Sequence, residues 1–279
     1  MSWIWQAQGG GNGGGAAAAP VPQLQSNIAS AVAMWSLDVD MSLGSMLGTD
    51  RSGNTLNLSS NGALTFPDII PGGKASITWS LDTRTTSYPV GFQAGISYPA
   101  LRLTGAMSVT FRAMKSAYPP PPNVPWTNYQ YMVACGNGND ATANGNMLWS
   151  VGVSIGPTKG GVFYYSESGV KVGASFISTL PLTSSGLSSD GLWHFVAMRR
   201  EASGVVTIDV DGSSQTSGAL APPTAGSTSR VFIGRPAMDP ITTLTDIGLI
   251  GSVRDVCVWP SRLTDAQVLF LRKQSMGLP

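Results

Sequence analysis

Charge is what this chain has least of. Asp, Glu, Lys and Arg together make up 11% of its 279 residues, less than half of the roughly 25% usual in a soluble domain. The formal net charge is +1 and no Lys/Arg stripe runs along any segment. The electrostatic footprint of a nucleic-acid binder is therefore missing, and no nucleic-acid partner is expected. Glutamate is almost absent, with Glu167 and Glu201 alone. Glycoside hydrolysis with retention needs two carboxyls about 5–5.5 Å apart, and neither Glu sits in a strand that offers a second one. Histidine occurs once, at His194, so any Ser/His/Asp or Cys/His arrangement would have to be built around it. The two cysteines, Cys135 and Cys257, have no metal-type spacing. They read as small buried residues, with a disulfide between them left open. No apolar run approaches the 18 residues of a membrane-spanning helix, and no membrane insertion is expected. Met1-Ser-Trp-Ile-Trp-Gln6 lacks the basic and apolar regions of a secretory signal, so the expectation is a protein assembled in the cytoplasm. No cofactor is expected either.

What is there is apolar and turn-rich. Hydrophobic residues reach 42%, with 34 Gly and 19 Pro. The chain divides into residues 1–23 and residues 24–279. The first segment carries an aromatic tip, Trp3, Ile4 and Trp5, then a Gly-rich run from Gly9 to Gly15, four alanines and Pro20-Val-Pro22. Such a run behaves as a flexible coil and cannot bury enough surface to fold alone. It suits an anchoring tail, with Trp3, Ile4 and Trp5 as the assembly contacts.

From Leu24 onward the pattern is strand, turn, strand. Leu101–Met114 reads as a pair of strands. Four prolines at Pro119 to Pro122 exclude a sheet interior and mark a loop that continues to Trp126. Tyr131–Cys135, Met147–Val153 and Gly161–Tyr165 follow as strands. Trp193–Met198 is apolar on both alternating faces and is expected to be central and covered on both sides. In Val205–Asp211, Val206, Ile208 and Val210 share one face while Thr207, Asp209 and Asp211 share the other. Val231–Ile233 and Val253–Trp259 complete the set. Strands at this density, with Gly, Asn and Ser between them, signal a sandwich or barrel. One helix is specified: Thr264-Asp-Ala-Gln267 has the form of a capping box, Leu263 and Val268 are placed as a hydrophobic staple, and Arg272 and Lys273 suit a last turn. The helix is expected over Asp265–Lys273.

Four ordered segments carry a family resemblance. Asp190-Gly-Leu-Trp-His-Phe-Val-Ala197, Ile208-Asp-Val-Asp-Gly212, Val231-Phe-Ile-Gly-Arg235 and Gly251–Trp259 followed by Leu263–Val268 resemble the motifs of the laminin-G-like, concanavalin A-like superfamily. Asp50-Arg-Ser-Gly-Asn54 is similar to that family's upstream turn. The resemblance implies an all-β fold, a concanavalin A-like jelly-roll sandwich with one short C-terminal helix and a Gly-rich N-terminal tail. It implies a structural role for His194, which matches the family's Trp-His position; Phe195 departs from the family's second His. Domains of this kind often hold Ca²⁺ on edge loops, which makes Asn137, Asn139 and Asp140 candidate ligand-binding residues, with Asp50 and Asn54 a second choice. Neither loop has the several carboxylates of a tight calcium site, so no metal is assigned. A sugar platform would use exposed aromatics, of which Trp126 and Tyr129 are the choices; Trp149, Trp193 and Trp259 fall in strands and read as core.

The expected function is non-catalytic: a virion protein of a tailed phage, of the tail-fibre or receptor-binding type. Its tail would dock on other virion proteins, its sandwich would touch a host-surface glycan or receptor, and it would act as a homo-oligomer. The alternatives are a capsid decoration protein and a free bacterial carbohydrate-binding or adhesion module.

Overall fold

The structure is a computed structural model that describes residues 31–35, 47–48, 50, 52–61, 69–70, 74–75, 77–78, 91–94, 98–115, 129–136, 147–154, 159–165, 186–188, 190–220, 230–234, 246–248 and 251–278. The first strands are short: β1 (Ala33–Trp35), β2 (Leu47–Gly48), β3 (Leu58–Asn61), β4 (Ile69–Ile70), β5 (Lys74–Ala75), β6 (Ile77–Thr78) and β7 (Gly91–Ala94). Longer ones follow: β8 (Met107–Lys115), β9 (Tyr129–Gly136), β10 (Met147–Ser154) and β11 (Lys159–Tyr165). The second half holds β12 (Gly186–Ser188), β13 (His194–Arg200), β14 (Val205–Val210), β15 (Ser213–Ala219), β16 (Arg230–Ile233), β17 (Asp246–Gly248) and β18 (Gly251–Trp259). Helix α1 (Asp265–Met276) closes the chain.

Among the described residues the strands form two large sheets. A seven-stranded sheet runs β1-β18-β8-β13-β14-β15, with β6 also on β18. A nine-stranded sheet runs β12-β11-β10-β9-β16-β7-β3-β2, with β17 also on β9. Period-two alternation explains how they face each other. Phe111, Val196, Met198, Ile208 and Val258 of the first sheet and Val133, Trp149, Val151, Tyr164 and Val231 of the second are all buried in one core. Its tryptophans keep their polar edge satisfied: Trp35 donates Nε1–H to the Leu56 carbonyl at 2.7 Å and Trp149 to the Leu101 carbonyl at 3.3 Å.

The outer face of the seven-stranded sheet is also buried, because α1 covers it. Met34, Phe195, Ala197, Cys257 and Trp259 pack against Leu263, Val268 and Leu271. β13 is thus central and covered on both sides, as its sequence implies. Two buried arginines pin the helix to the sheet. Arg112 of β8 donates to the Ser275 carbonyl and to Asp255, with Nε 2.5 Å from Oδ2. Arg199 of β13 donates to Asp265 and to the Leu263 carbonyl. Asp255 reaches Arg112 because β18 bulges between Arg254 and Cys257, with Asp255 in the left-handed region at φ 53°. One extra residue there turns its carboxylate to the helix side while Val253, Val256 and Val258 all keep facing the core.

The capping box is present in full. Gln267 N–H donates to Thr264 Oγ1 at 3.2 Å and Thr264 N–H to Gln267 Oε1 at 2.8 Å. The helix runs to Met276, three residues past the expected Lys273, because its stop is Gly277 at φ 67°, whose N–H returns to the Lys273 carbonyl. Leu101 belongs to a 3-10 turn, Pro99–Leu101, so Leu101–Met114 is one turn and one strand instead of two strands. Asp211 does not share a strand face with Asp209: it enters the turn at φ 53°. Both cysteines are buried and free, each on a different sheet, and burial pushes both thiols up.

Candidate functional site

One cluster of described polar residues, Asp190, His194, Asp209 and Asp211, lies at a rim of the seven-stranded sheet, where the segment entering β13 meets the β14–β15 hairpin. The hairpin is tight because Asp211 (φ 53°) and Gly212 (φ 92°) both take positive φ, the pattern of a type I′ turn that matches strand twist. At Gly212 the positive φ is what requires glycine; a Cβ would also meet the Arg272 guanidinium that α1 lays across the turn, but that flexible end can shift aside. The turn is held by Asp209, whose Oδ1 accepts from Gly212 N–H at 2.9 Å and whose Oδ2 accepts from Ser214 Oγ–H at 2.7 Å.

His194 sits at the first position of β13 with a carboxylate on each ring nitrogen. Nδ1 is 2.5 Å from Asp211 Oδ2 and Nε2 is 3.1 Å from Asp190 Oδ1. Asp211 also accepts the Phe195 N–H at 2.9 Å, and Asp190 accepts the Leu192 N–H at 2.9 Å. Only a protonated imidazole can donate to both carboxylates at once. The Asp211 hydrogen bond raises the His194 pKa most; partial burial opposes it, and Asp190 adds to the rise. At Asp190, burial works to raise the pKa, but the Leu192 amide and the His194 ring outweigh it, and the carboxyl lies below its ordinary value. An imidazolium with both N–H groups engaged has no lone pair for a nucleophile's proton, so this arrangement orders a rim. Beside it Leu192 stands 63% exposed, and the Arg254 guanidinium lies 4.4 Å from the centre of the half-buried Trp193 ring, a cation–π contact.

Trp193 therefore differs from the core position expected of it, because it precedes the strand. Trp149 and Trp259 are fully buried. His194 is hydrogen-bonded as expected, but on the rim and not between two covered faces. Glu201 lies in the β13–β14 connection, 3.4 Å from Arg262 Nε and bonded to Ser203.

Of the sequence-chosen ligand residues, Tyr129 opens β9; Trp126, Asn137, Asn139 and Asp140 lie outside the described residues, as do Trp3, Ile4 and Trp5. The second calcium choice is a turn held by its own carboxylate. Asp50 accepts from the amides of Met34, Ser52 and Leu56 and from the Ser52 hydroxyl at 2.8–3.0 Å, and Asn54 donates to the Val32 carbonyl at 2.8 Å. Both oxygens of Asp50 are occupied by donors. The joint role of Asp190, His194 and Asp211 was missed in the sequence, although two of its family-like segments contain all three. The signal was present in the Asp-Gly-x-Trp-His and Val-Asp-Gly spacings; what was absent was the register that brings them together.

No family model matches the chain, and no curated protein matches it by sequence. Solved structures do. The binding domain of Paraclostridial Mosquitocidal Protein 1 superposes with a TM-score of 0.53 at 12% identity, over 90% of this chain and 53% of that one. The binding domain of botulinum neurotoxin DC, in complex with SialylT, gives 0.54 at 13% identity over 89% and 52%. Trypanosoma rangeli sialidase in complex with sialic acid gives 0.52 at 12% identity over 93% and 34%. The fold is a concanavalin A-like sandwich. This chain spans about half the length of the two binding domains and a third of the sialidase.

Proposed function

We propose that this chain is a non-catalytic recognition module that binds a host-surface glycan or glycan-bearing receptor, carried on a tailed-phage virion through residues 1–23. One observation carries the binding part: across about nine-tenths of its length the chain shares its fold with domains that are themselves binding domains, one of them in complex with SialylT. The non-catalytic part rests on the disposition of acid–base groups. The one histidine is held on both nitrogens, and Glu201 is tied to Arg262 and Ser203 in a connection between strands. The virion part rests on the sequence, on an aromatic, Gly-rich and Ala-rich leader before a low-charge sandwich.

A glycan array probed with the full chain, with and without calcium, tests the binding reading. Retention of sialylated or neutral glycans above a Gly/Ala control protein supports it; no retention in either condition removes the glycan. Deleting residues 1–22 tests the anchor. The truncated sandwich should fold and stay off particles, and normal incorporation would sink the docking role of the tail.

A further inference from the structure

The edges of the two sheets are closed in different ways. Among the described residues the edge strands β1, β2, β6 and β12 run only three, two, two and three residues. β15 ends the seven-stranded sheet and runs seven. Proteins usually blunt a long edge with lysine, proline or a bulge. β15 reads Ser-Ser-Gln-Thr-Ser-Gly-Ala, without charge or proline, and is exposed along most of its length. The one irregularity in its pairing with β14 lies beyond Thr216, toward Ala219.

The type I′ turn decides which backbone groups face outward. Val210 and Ser213 flank it and pair with each other, as do Ile208 and Gln215 two residues on. In a two-residue hairpin the flanking pair exchanges its hydrogen bonds, and bonded and non-bonded pairs then alternate. Ser214 and Thr216, opposite Asp209 and Thr207, therefore turn their N–H and C=O away from β14. Their side chains are engaged within the sheet, Ser214 with Asp209 at 2.7 Å and Thr216 with Thr207 at 3.1 Å, and do not cap that backbone.

We propose that β15 pairs antiparallel with β15 of a second copy of this chain, joining two seven-stranded sheets across a twofold axis. The strand is self-complementary for that purpose. With Gln215 opposite Gln215 of the second copy, each Ser214 faces the other copy's Thr216, and each such pair exchanges two backbone hydrogen bonds. No like charges meet across the axis, which removes the usual penalty on a self-paired strand, and a twofold contact closes without propagating. The proposal names the surface for the homo-oligomer expected from the sequence and rests on neither the glycan nor the virion. A single strand pair covers less than the roughly 1,200 Å² of a stable interface. The dimer is therefore weak in dilute solution and fills at the high local concentration of an assembly.

Sedimentation velocity of the full chain over a wide concentration range tests this, beside Thr216→Pro and Thr216→Lys. Proline removes the outward N–H and no backbone bond to β14; lysine sets two cations near the axis and keeps the backbone. Both give up the Thr216–Thr207 hydroxyl contact. The wild type should show a concentration-dependent dimer, and each variant should weaken it by about tenfold or more, proline through the loss of one backbone hydrogen bond per copy and lysine through like charges at the axis. The lysine variant should remain folded, its midpoint lowered by no more than the loss of one side-chain hydrogen bond. A wild type that stays monomeric at millimolar concentration overturns both the pairing and the homo-oligomer. A dimer that both variants leave intact overturns the edge alone. Association that survives in the variants and vanishes on deletion of residues 1–22 assigns it to the tail.

Discussion

Arg112 and His194 lie one step apart on adjacent strands, since Arg112 pairs with Phe195 and Ala113 with His194. Each is a cation held by aspartate. Arg112 and Asp255 are buried under α1, with 8% and 1% of their side chains exposed, whereas His194 meets carboxylates that are 39% and 42% exposed. The same chemistry does different work at the two depths. Under the helix, an unpaired charge has no water to turn to, so the pair fixes where α1 sits. At the rim, water competes with every contact, so the cluster orders a turn and responds to pH.

The largest effect expected is from Arg112→Met. It takes the Arg112 guanidinium from the Asp255 carboxylate, leaving Arg254 Nε 3.8 Å away, and takes the donor from the Ser275 carbonyl; breaking a buried pair from one side costs up to about 3–5 kcal/mol. Denaturant unfolding measures the loss, and hydrogen exchange should show α1 opening first. Adding Asp255→Asn should restore part of it, because the cost lies in the stranded charge. A loss below about 1 kcal/mol in the single variant would mean that depth does not separate the two clusters.

Asp50 extends the comparison to a buried carboxylate held by amides instead of a cation. Asp50→Ala strands the amides of Met34 and Leu56, both in buried surroundings, at a cost of about 2–3 kcal/mol. Unfolding in the presence of millimolar calcium should show the wild type unshifted, because both carboxylate oxygens already accept hydrogen bonds. A calcium-dependent rise in its midpoint would reopen this turn as a metal site.

What was legible in the sequence follows the same division between local and distant contacts. The capping box at Thr264–Gln267, the alternation in β14 and the doubly apolar run of β13 are local patterns, and each appears where its spacing puts it. The extension of α1 to Met276 was hidden because Gly277, not the basic residues before it, supplies the left-handed stop. The β18 bulge was hidden for a stronger reason. An aspartate between Arg254 and Val256 carries no local sign of burial, and its main partner, Arg112, is distant in the sequence. The rim cluster joins residues from two segments through the register of β13 with β14, which no single window contains. The glycan-facing residues chosen from the sequence lie, Tyr129's backbone apart, outside the described residues.

The rim cluster should respond to pH with a defined sign. His194 has a raised folded value, so its contribution is complete below the unfolded value of about 6.5 and is lost as pH rises through the folded one. Asp190 sets the lower bound: its folded value is depressed, so its contribution is complete above about 3.9 and is lost as pH falls through the depressed value. The stability gap between wild type and His194→Gln should thus be widest from about pH 4 to 6.5 and close toward pH 9, and added salt should shrink it. A gap of constant size from pH 5.5 to 9 would show the neutral ring holding both aspartates as well as the charged one does.

The smallest effect tests whether a buried arginine alone is enough to make a pair matter. Arg199 is 3% exposed but its partner Asp265 is 87% exposed, and Arg199 also donates to the Leu263 carbonyl. Asp265→Asn keeps an acceptor oxygen for Arg199 and removes only the charge, together with a favourable first-turn anion on α1. The expected loss is under about 1 kcal/mol and should fade with salt, against the much larger, salt-insensitive loss at Arg112. Equal losses at the two sites would mean that the arginine's depth sets the cost; the structure points to the depth of the aspartate, because it is the stranded anion that water can or cannot reach.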